Sequence, residues 1–566
     1  MFLRRAAAAL HRRIPFPSQT VAASRYAKIA NASSASLSML LSGKMEHLNQ
    51  YGSEGYTWRG HHKDIWLWIF ISGHAALVLG LNGQPVLAED VSIESSSEND
   101  IGGANATGLR RIEDGSVISN MHTSKWRIFT DQGRELFLQG KLEEAENFFL
   151  SALQEAKEGF GVKDPHVASS CNNLAELYRV KKLFDKAEPL YLEAINILQE
   201  SFGPEDIRVG ATLHNLGQFY VMRKKLEDAR ICYERALKIK RRVLGDGHTD
   251  YADTMYHLGM VLYLQGKIKD SEALIQDSVR ILEDGGLGES TIYIRRLRYL
   301  AQIYLKSNQP AEAENAHRKI LHVMEFSKGW NSLDTVIAAE DLALTLQSVG
   351  RLREAQELLQ RCLDVRKSLL PEDHIQISAN LLHMARVTLL SSGQLKKKDA
   401  YEAISELDKA KDLLGNSIRI AQHVVDKLKE KGNLKNHRAS GETEKERHAA
   451  LVILLQSLDT LGLLEITKHE LLESRGEHQP FLEAENVLRQ CISAFKELPP
   501  EGSISKSAAV KVEYLSCLKH LSSLISDSSN RMQQSTTTTL QELNEEIKRV
   551  KIELSQSRKS KNQSSS

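Results

Sequence analysis

Apolar residues follow one another along much of the chain at intervals of three and four positions, which is the period of an amphipathic α-helix. The pattern also repeats over a longer distance, because the segment Asn172-Asn-Leu-Ala-Glu-Leu-Tyr178 returns 42 residues later as His214-Asn-Leu-Gly-Gln-Phe-Tyr220. Its leucine and the small residue that follows recur at positions 174/175, 216/217, 258/259, 300/301 and 342/343. Gln132-Gly133 and Met384-Ala385 lie in the same register. A spacing without gaps predicts seven units of one repeat.

Each unit holds a second small residue thirteen positions after the leucine. The series is Ala145, Ala187, Ala229, Ser271, Ala313 and Ala355. Small side chains let two helices approach closely, so we expect each unit to be a helix A followed by a helix B. Gly140, Gly266 and Gly350 lie between these helices, where a left-handed residue lets the chain reverse. Segments that begin with Gly161, Gly203 and Gly245 separate the units and offer Asp or Thr as N-caps.

The repeat predicts an all-α protein, an α-solenoid of stacked antiparallel helix pairs over residues 126–432. The seventh unit carries about six extra residues near 391–399, and its helix B is expected to continue to Lys431. Residues 433–445 are polar and predict a mobile loop. Residues 446–555 predict a degenerate helix pair and further helices that cap the array, and residues 556–566 predict a disordered tail.

These units resemble the tetratricopeptide repeat (TPR), in particular the 42-residue branch found in kinesin light chains. Ala168-Ser-Ser-Cys-Asn-Asn-Leu-Ala-Glu-Leu-Tyr178 and Ala187-Glu-Pro-Leu-Tyr-Leu-Glu-Ala194 are close matches to the unit of that branch. The resemblance covers about half of the chain and implies a right-handed superhelix that binds other proteins in a concave groove lined by the A helices. Kinesin light chains also carry an amino-terminal heptad coiled coil, whereas this chain begins differently, so the resemblance extends to fold and binding mode and not to a motor role.

The amino-terminal part has the composition of a targeting signal. Met1 to Met45 contain no acidic residue, and seven Arg or Lys are interspersed with Ala, Ser and Leu. We therefore expect residues 1–62 to be an organelle presequence, although a disordered basic tail is the alternative. Residues 63–88 include the uncharged run Ile65–Leu81, which is at the short end of what spans a bilayer. Residues 89–124 are rich in Ser, Gly, Asn and acidic residues and predict a flexible linker.

Two interpretations of Ile65–Leu81 stay open. The segment is either a retained membrane anchor or a sorting signal cleaved near Val86-Leu87-Ala88. A presequence followed by a hydrophobic stretch resembles the two-part signals of mitochondrial intermembrane-space proteins, and thylakoid-lumen proteins carry a similar one. The Arg-rich start favours the mitochondrion, at the inner membrane or in the intermembrane space, over the chloroplast, with the cytoplasm as the last alternative.

No pattern of catalytic chemistry stands out. The chain lacks GxxxxGK[ST], GxGxxG, GxSxG and HExxH, and no His–acid pair recurs with ligand spacing, so we expect no enzyme activity, no cofactor and no metal. The five cysteines are far apart and are expected to be small buried residues on helices, without a disulfide. Beyond Ala88 the chain is mildly acidic, which gives no reason to expect nucleic acid.

The A helices supply the candidate binding residues. In related TPR proteins one column of A-helix residues contains Asn side chains that bond the backbone of an extended peptide; here that column is Asn173, Asn215, His257, Tyr299, Asp341 and His383. The next column, a candidate specificity surface, is His214, Tyr256, Arg298 and Glu340. Arg295, Arg296 and Arg298 form a cluster that would clamp an acidic segment. The alternative for the first column is that its members are merely polar residues of the groove, and the alternative for the arginines is a solvated helix face.

Together these features predict a non-catalytic adaptor in an organelle that holds peptides or helices of client proteins. The layout of presequence, hydrophobic segment and array is similar to that of a mitochondrial inner-membrane TPR protein of respiratory-complex assembly, which suggests a role in assembling a membrane complex. A cytosolic cargo or cytoskeletal adaptor like the kinesin light chains is the alternative, and it requires an uncleaved amino end.

Overall fold

A computed structural model describes residues 121–395, 400–434, 441–473, 475, 481–498, 504–529 and 537–563. The predicted presequence, the segment Ile65–Leu81 and most of the predicted linker lie outside these residues. Helix α1 begins at Met121, so the last four residues of the predicted linker are helical. The described residues form eighteen α-helices and no strand, which confirms the all-α prediction.

The first fourteen helices form seven consecutive pairs, each an A helix followed by a B helix. The pairs are α1 Met121–Leu138 and α2 Leu142–Phe160; α3 Pro165–Val180 and α4 Phe184–Phe202; α5 Ile207–Met222 and α6 Leu226–Leu244; α7 Thr249–Leu264 and α8 Ile268–Asp284; α9 Thr291–Lys306 and α10 Pro310–Lys328; α11 Leu333–Val349 and α12 Leu352–Leu369; α13 Ile375–Leu395 and α14 Ala400–Leu434. Each helix from α1 to α14 contacts the next along the chain, which is the arrangement of an α-solenoid.

The reversal from helix A to helix B uses the same backbone conformation in six pairs. A residue with φ between 58° and 86° stands at 42-residue intervals, namely Gly140, Lys182, Lys224, Gly266, Asn308 and Gly350. The amide of the following residue bonds the carbonyl five positions back, as Leu183 N–H does to Tyr178 O at 2.9 Å. This is the Schellman ending of a helix. The three glycines were predicted, and Lys182, Lys224 and Asn308 adopt the same left-handed conformation.

The amino ends of the A helices are capped with the same regularity. A side chain at 42-residue intervals accepts a hydrogen bond from a backbone N–H of the first turn; the caps are Asp164, Asp206, His248, Ser290, Ser332 and His374. The predicted Asp caps are confirmed at Asp164 and Asp206. The predicted Thr cap is wrong, because Thr249 is the first residue of α7 and the Nδ1 atom of His248 before it accepts the bond.

Small residues on helix A make room for large residues on helix B of the same pair. A Cβ atom added at Gly217 would lie 2.8 Å from the ring of Tyr233, and one at Gly259 would lie 2.6 Å from Ile275. The predicted small series on helix B, from Ala145 to Ala355, is fully buried. The small positions of the repeat therefore lie where the two helices of each pair are closest.

The carboxyl-terminal helices continue the array. They are α15 Gly441–Glu473, α16 Leu482–Lys496, α17 Ala508–Ser529 and α18 Thr537–Gln563. One apolar core runs without interruption from Leu342 in α11 to Val550 in α18. Helix α15 contacts α13, α14, α16 and α17. Its stretch Glu444–Glu473 is the one described helix long and apolar enough to cross a membrane, and 83% of its most apolar window is buried inside the protein.

Two expectations for this region need correction. The predicted loop 433–445 is helical up to Leu434 and again from Gly441, and only residues 435–440 lie outside the described residues. All five cysteines are buried on helices as expected, but Cys491 and Cys517 form a disulfide. The two are 26 residues apart in sequence, yet α16 packs against α17 and brings their Cα atoms to 6.3 Å.

Candidate protein-binding face

The A helices of neighbouring pairs form one shared surface. Helix α3 contacts α5, and α5 contacts α7, so side chains 42 residues apart occupy matching places on adjacent helices. We call the surface formed by α1, α3, α5, α7, α9, α11 and α13 the A-helix face. The predicted binding residues all lie on these helices, and their exposure decides which of them a client could reach.

The two asparagines of the predicted peptide-binding column are largely covered. Asn173 is 2% exposed and Asn215 is 5% exposed. Asn215 Nδ2 donates to Asn172 Oδ1 at 3.1 Å, whereas Asn173 Nδ2 has no hydrogen-bond partner among the described residues. Asn172, one position earlier, is half-buried and more accessible. A client would reach the amide of Asn173 only if the side chains above it moved, so its contact with a peptide stays a prediction.

The tyrosines of the two columns belong to the interior. Tyr256 and Tyr299 pack edge to face with their ring centroids 5.9 Å apart, and both are buried. Burial raises the pKa of Tyr299 well above its usual range. Tyr263 on the same face is half-buried and touches the Tyr299 ring at 5.4 Å. These residues stabilise the stacking of α7 on α9 and present little surface to a ligand.

The three clustered arginines separate into different environments. Arg295 is exposed and Arg298 is half-buried, so both are accessible to a client. Arg296 is buried, and its Nη1 donates to the Oγ of Ser278 at 2.8 Å. The prediction of a clamp made of three arginines is therefore wrong, because Arg296 is buried against α8 of the preceding pair and bonds groups of the protein itself.

The far end of the predicted columns is also part of the core. Glu340 is fully buried and accepts two hydrogen bonds from Arg366, at 2.8 and 2.7 Å. Arg366 also donates to Asn380 Oδ1, so this charge pair joins α11, α12 and α13. Burial raises the pKa of Asp341 to about 7 and lowers that of His383 to about 4. Glu340 is a structural residue and not a specificity contact.

A compact polar group lies on α5 and α7 of the A-helix face. It consists of His214, Asp253 and His257, and we call it the His–Asp–His cluster. His214 Nε2 lies 3.5 Å from Asp253 Oδ2, and His257 Nε2 lies 3.9 Å from Asp253 Oδ1. The side chains of Asp253 and His257 are 24% and 26% exposed, and that of His214 is 7% exposed. The cluster therefore reaches the surface through its two α7 members.

Several neighbours orient the cluster. Arg296 Nη2 lies 3.1 Å from Asp253 Oδ1 and ties α9 to it. His214 Nδ1 lies 3.0 Å from Thr254 Oγ1, which Lys240 also contacts at 2.9 Å. The ring of His257 stacks on that of Tyr233 with 5.9 Å between the centroids.

Charge and burial set the protonation of the cluster. Burial raises the pKa of Asp253, but His257, His214, Arg296 and Lys240 outweigh it and hold that pKa well below its usual range. Burial lowers the pKa of His257, and the attraction of Asp253 offsets only part of this effect. At neutral pH the cluster thus combines an ionised carboxylate with a neutral His257 imidazole.

Asp253 was not among the predicted site residues. The signal for Asp253 was present, since Asp253 and His257 are four residues apart and share one helical face. The repeat then places His214 of the preceding unit beside them. The complete group has no recurring spacing in the sequence, because it occurs once and spans two units.

The fold defines this chain as an all-helical repeat protein built from stacked helix pairs. Comparison with known families agrees with this class. The tetratricopeptide-repeat family model matches residues 131–200, 166–242 and 208–284, and a second tetratricopeptide-repeat model matches residues 335–376. Residues 131–284 and 335–376 are therefore tetratricopeptide repeats.

One curated relative is the human protein Tetratricopeptide repeat protein 19, mitochondrial. It is 31% identical over an alignment of 137 residues, and the match covers 21% of this chain. The match spans about a third of the relative's length, 36%.

Solved structures give more distant likenesses. The nearly identical TPR-like repeats of a Podosopora anserina protein described as a kinesin light chain are 20% identical; the match covers 36% of this chain and 97% of that one, with a TM-score of 0.33. BtubC (BKLC) from P. vanneervenii is 16% identical, over 44% of this chain and 93% of its own, with a TM-score of 0.35. At these low TM-scores the solved structures carry no argument about this chain, and the description of the fold rests on its helix pairs.

Proposed function

We propose that this chain is a non-catalytic adaptor that holds peptides or helices of client proteins on the A-helix face between α3 and α9. The observation that supports this most is the set of accessible polar side chains on four successive A helices, α3, α5, α7 and α9. These are Asn172, Gln218, Asp253, His257, Arg295 and Arg298. Tetratricopeptide repeats commonly serve such a role, and stacked helix pairs create extended surfaces suited to it.

The accessible charges indicate what kind of client segment fits. Arg295 is exposed and Arg298 half-buried on α9, and two guanidinium groups can bind carboxylates in bidentate pairs. Asp253 and His257 on α7 offer an acceptor and a neutral ring beside them. We therefore propose that a segment with acidic residues contacts α9 while its backbone lies along α5 and α7.

A charge-reversal experiment tests this client site. Arg295→Glu combined with Arg298→Glu should weaken proximity labelling and cross-linking of the client by tenfold or more, because attraction becomes repulsion. Arg353→Glu is the matched control, since Arg353 is exposed on the B helix α12 and pairs only with Glu357 in the structure. An equal client yield from the double variant and the control would refute the proposed contact.

We further propose that the protein acts in the mitochondrion, at the inner membrane or in the intermembrane space, and helps to assemble a membrane complex. The basic, acid-poor start and the uncharged run Ile65–Leu81 support this location. The relative named mitochondrial supports the organelle more weakly, because it matches only part of the array. Client capture in the cytosol, as in kinesin light chains, is the competing function.

The amino terminus of the native protein distinguishes the two. A native chain that begins near Glu89 supports cleavage of a sorting signal, and a chain that begins between Met45 and Lys63 supports an anchored form. A native chain that begins at Met1 and fractionates with the cytosol contradicts the mitochondrial proposal and favours the alternative.

A further inference from the structure

We propose that the His–Asp–His cluster binds one divalent metal ion of the zinc type, with His214 Nε2, His257 Nε2 and a carboxylate oxygen of Asp253 as its ligands. One candidate ligand atom from each residue lies within 4.8 Å of those of the other two. This inference goes beyond the adaptor role and does not depend on it, because it concerns side chains of this chain alone.

The distances suit a small ion after a modest side-chain movement. Zinc lies about 2.0–2.2 Å from imidazole nitrogens and carboxylate oxygens in tetrahedral sites, so that its ligand atoms are about 3.3–3.5 Å apart. The separation between His214 Nε2 and Asp253 Oδ2 is already 3.5 Å, and that between His257 Nε2 and Asp253 Oδ1 is 3.9 Å. The two histidines face different oxygens of Asp253, so an ion bound to Oδ2 requires the His257 ring, about a quarter exposed, to rotate from Oδ1 toward Oδ2.

The chemistry of the three groups selects the class of metal. Two imidazoles and one carboxylate suit Zn²⁺, Co²⁺ or Ni²⁺, whereas Ca²⁺ and Mg²⁺ require mostly oxygen ligands. Three protein ligands leave a fourth position open. Since Asp253 and His257 are each about a quarter exposed on the A-helix face, that position is accessible to water.

His214 is already held in the orientation that a metal ligand needs. The Thr254 hydroxyl donates to the carbonyl of Asp250 at 3.0 Å, so its oxygen accepts the Nδ1–H of His214. This tautomer leaves Nε2, which lies 3.5 Å from Asp253 Oδ2, with the lone pair that a metal would need. A ring nitrogen fixed by a hydrogen bond on its far side is the usual support of a metal-binding histidine. Gln218 Nε2, 3.0 Å from His214 Nε2, now donates to that lone pair and would be displaced.

Two cations oppose metal binding and make the proposal sharply testable. Arg296 lies 3.1 Å from Asp253 Oδ1, and Lys240 contacts Thr254 next to it. Arg296 can stay on one carboxylate oxygen while the metal takes the other, but its charge repels the ion. Replacing this guanidinium by a neutral amide should therefore strengthen metal binding. If the cluster were only an ion-pair network, the same change would create no metal affinity.

The test uses the full chain, prepared without a histidine tag and freed of metal with a chelator. Zn²⁺ is titrated by calorimetry, and Co²⁺ by its visible absorption. We expect saturation at one equivalent, with the strong visible band of four-coordinate Co²⁺. His257→Gln and Asp253→Asn should each weaken binding by at least about tenfold, and Arg296→Gln should strengthen it.

A second group supplies the matched control. His122, Glu155 and Glu158 are likewise close enough to hold a metal, but they lie on α1 and α2, away from the cluster. His122→Gln should leave the affinity unchanged. The proposal is overturned if the unmodified chain binds neither metal, if binding is insensitive to the changes at His257 and Asp253, or if His122→Gln abolishes it. Should His257→Gln lose helical circular dichroism, the Co²⁺ spectrum of the unmodified chain decides, and an octahedral spectrum counts against the site.

Discussion

At the residue scale, the left-handed residue between helix A and helix B has a conformational cost that depends on whether it is glycine. Gly140, Gly266 and Gly350 adopt this conformation without a Cβ penalty, whereas Lys182 and Lys224 adopt it at φ 59°. A left-handed residue with a side chain costs about 1–2 kcal/mol relative to the right-handed form. Both lysines are exposed, so their side chains make no packing contact that would offset this cost.

We therefore expect Lys182→Gly to raise the free energy of unfolding by up to about 1 kcal/mol, after the greater entropy of unfolded glycine is counted. Lys238→Gly is the matched control, because Lys238 is exposed within α6. Glycine in the interior of that helix should lower the free energy of unfolding by about 0.5–1 kcal/mol. Denaturant unfolding followed by circular dichroism measures both. Destabilisation by Lys182→Gly as large as that of the control would show that the turn gains nothing from glycine.

The sequence predicted three of these six turns from their glycines. Lys182 and Lys224 were accessible only through the register, because lysine rarely adopts a positive φ and gives no local signal, whereas Asn308 is a residue type that adopts this conformation more often. Burial at the binding face was harder still to foresee. Asn173 and Glu340 lie on the predicted helix face, but which residues adjacent helices cover depends on how closely the helices approach, and the repeat does not encode that distance.

Within each helix pair, the size of one helix-A residue determines how closely helix B can approach. Ala175 and Ala343 occupy this position in two pairs, and Gly217 and Gly259 occupy it in two others. A Cβ atom at Gly217 would lie under 3.0 Å from two atoms of the buried Tyr233 ring. The pairs therefore share a sequence pattern but not one distance between helix A and helix B. In each pair, the size of the helix-A residue matches the large helix-B residue that packs against it.

The comparison of two identical substitutions isolates this packing effect. Gly415→Ala, in α14 with nothing within 4 Å of the added Cβ, should stabilise by about 0.5–1 kcal/mol through helix propensity. Gly217→Ala gains the same propensity but must displace Tyr233, so it should be less stable than Gly415→Ala by about 1–3 kcal/mol. Thermal and denaturant unfolding give the difference. Equal effects of the two changes would mean that Tyr233 moves freely.

At the scale of the whole molecule, the array and its terminal helices are joined through a buried polar group. Arg386 of α13, Gln456 and Asp459 of α15, and Glu513 of α17 meet there, with Gln456 Nε2 donating to Glu513 Oε1 at 2.9 Å. His520 Nδ1 lies 2.7 Å from Asp459 Oδ1. Burial, opposed by Gln456 and Arg386, raises the pKa of Glu513 to about 7.

A raised carboxyl pKa makes the folded state bind the proton more tightly than the unfolded state. Stability from this group is thus complete below its ordinary pKa of about 4.5 and declines as pH rises toward 7. Glu513→Gln keeps the acceptor for Gln456 and removes the titration. It should be stabilising at pH 8, by at most about 3 kcal/mol, and nearly neutral at pH 5. Glu542→Gln, exposed on α18, should show neither effect. If Glu513→Gln is instead less stable than the unmodified protein at pH 8, the ionised Glu513 forms a net favourable ion pair with Arg386.

The Cys491–Cys517 disulfide allows a test of the cellular compartment in which the protein folds. Disulfides form and persist in oxidising compartments and are rare in the cytosol, so a chain exported as we propose should carry this bond, and a cytosolic chain should not. Cys171, Cys232 and Cys362 are free and buried. Native protein denatured in the presence of an alkylating mass tag should therefore take up three tags without reductant and five after reduction.

The control is Cys491→Ser combined with Cys517→Ser, which should take up three tags under both conditions and lose about 2–4 kcal/mol of stability under oxidising conditions. Under reducing conditions the stability difference should shrink, because both proteins then lack the cross-link. Five tags on the native protein without reductant would show that the pair is reduced in the cell. That result would remove the disulfide as support for an exported array and favour the cytosolic alternative.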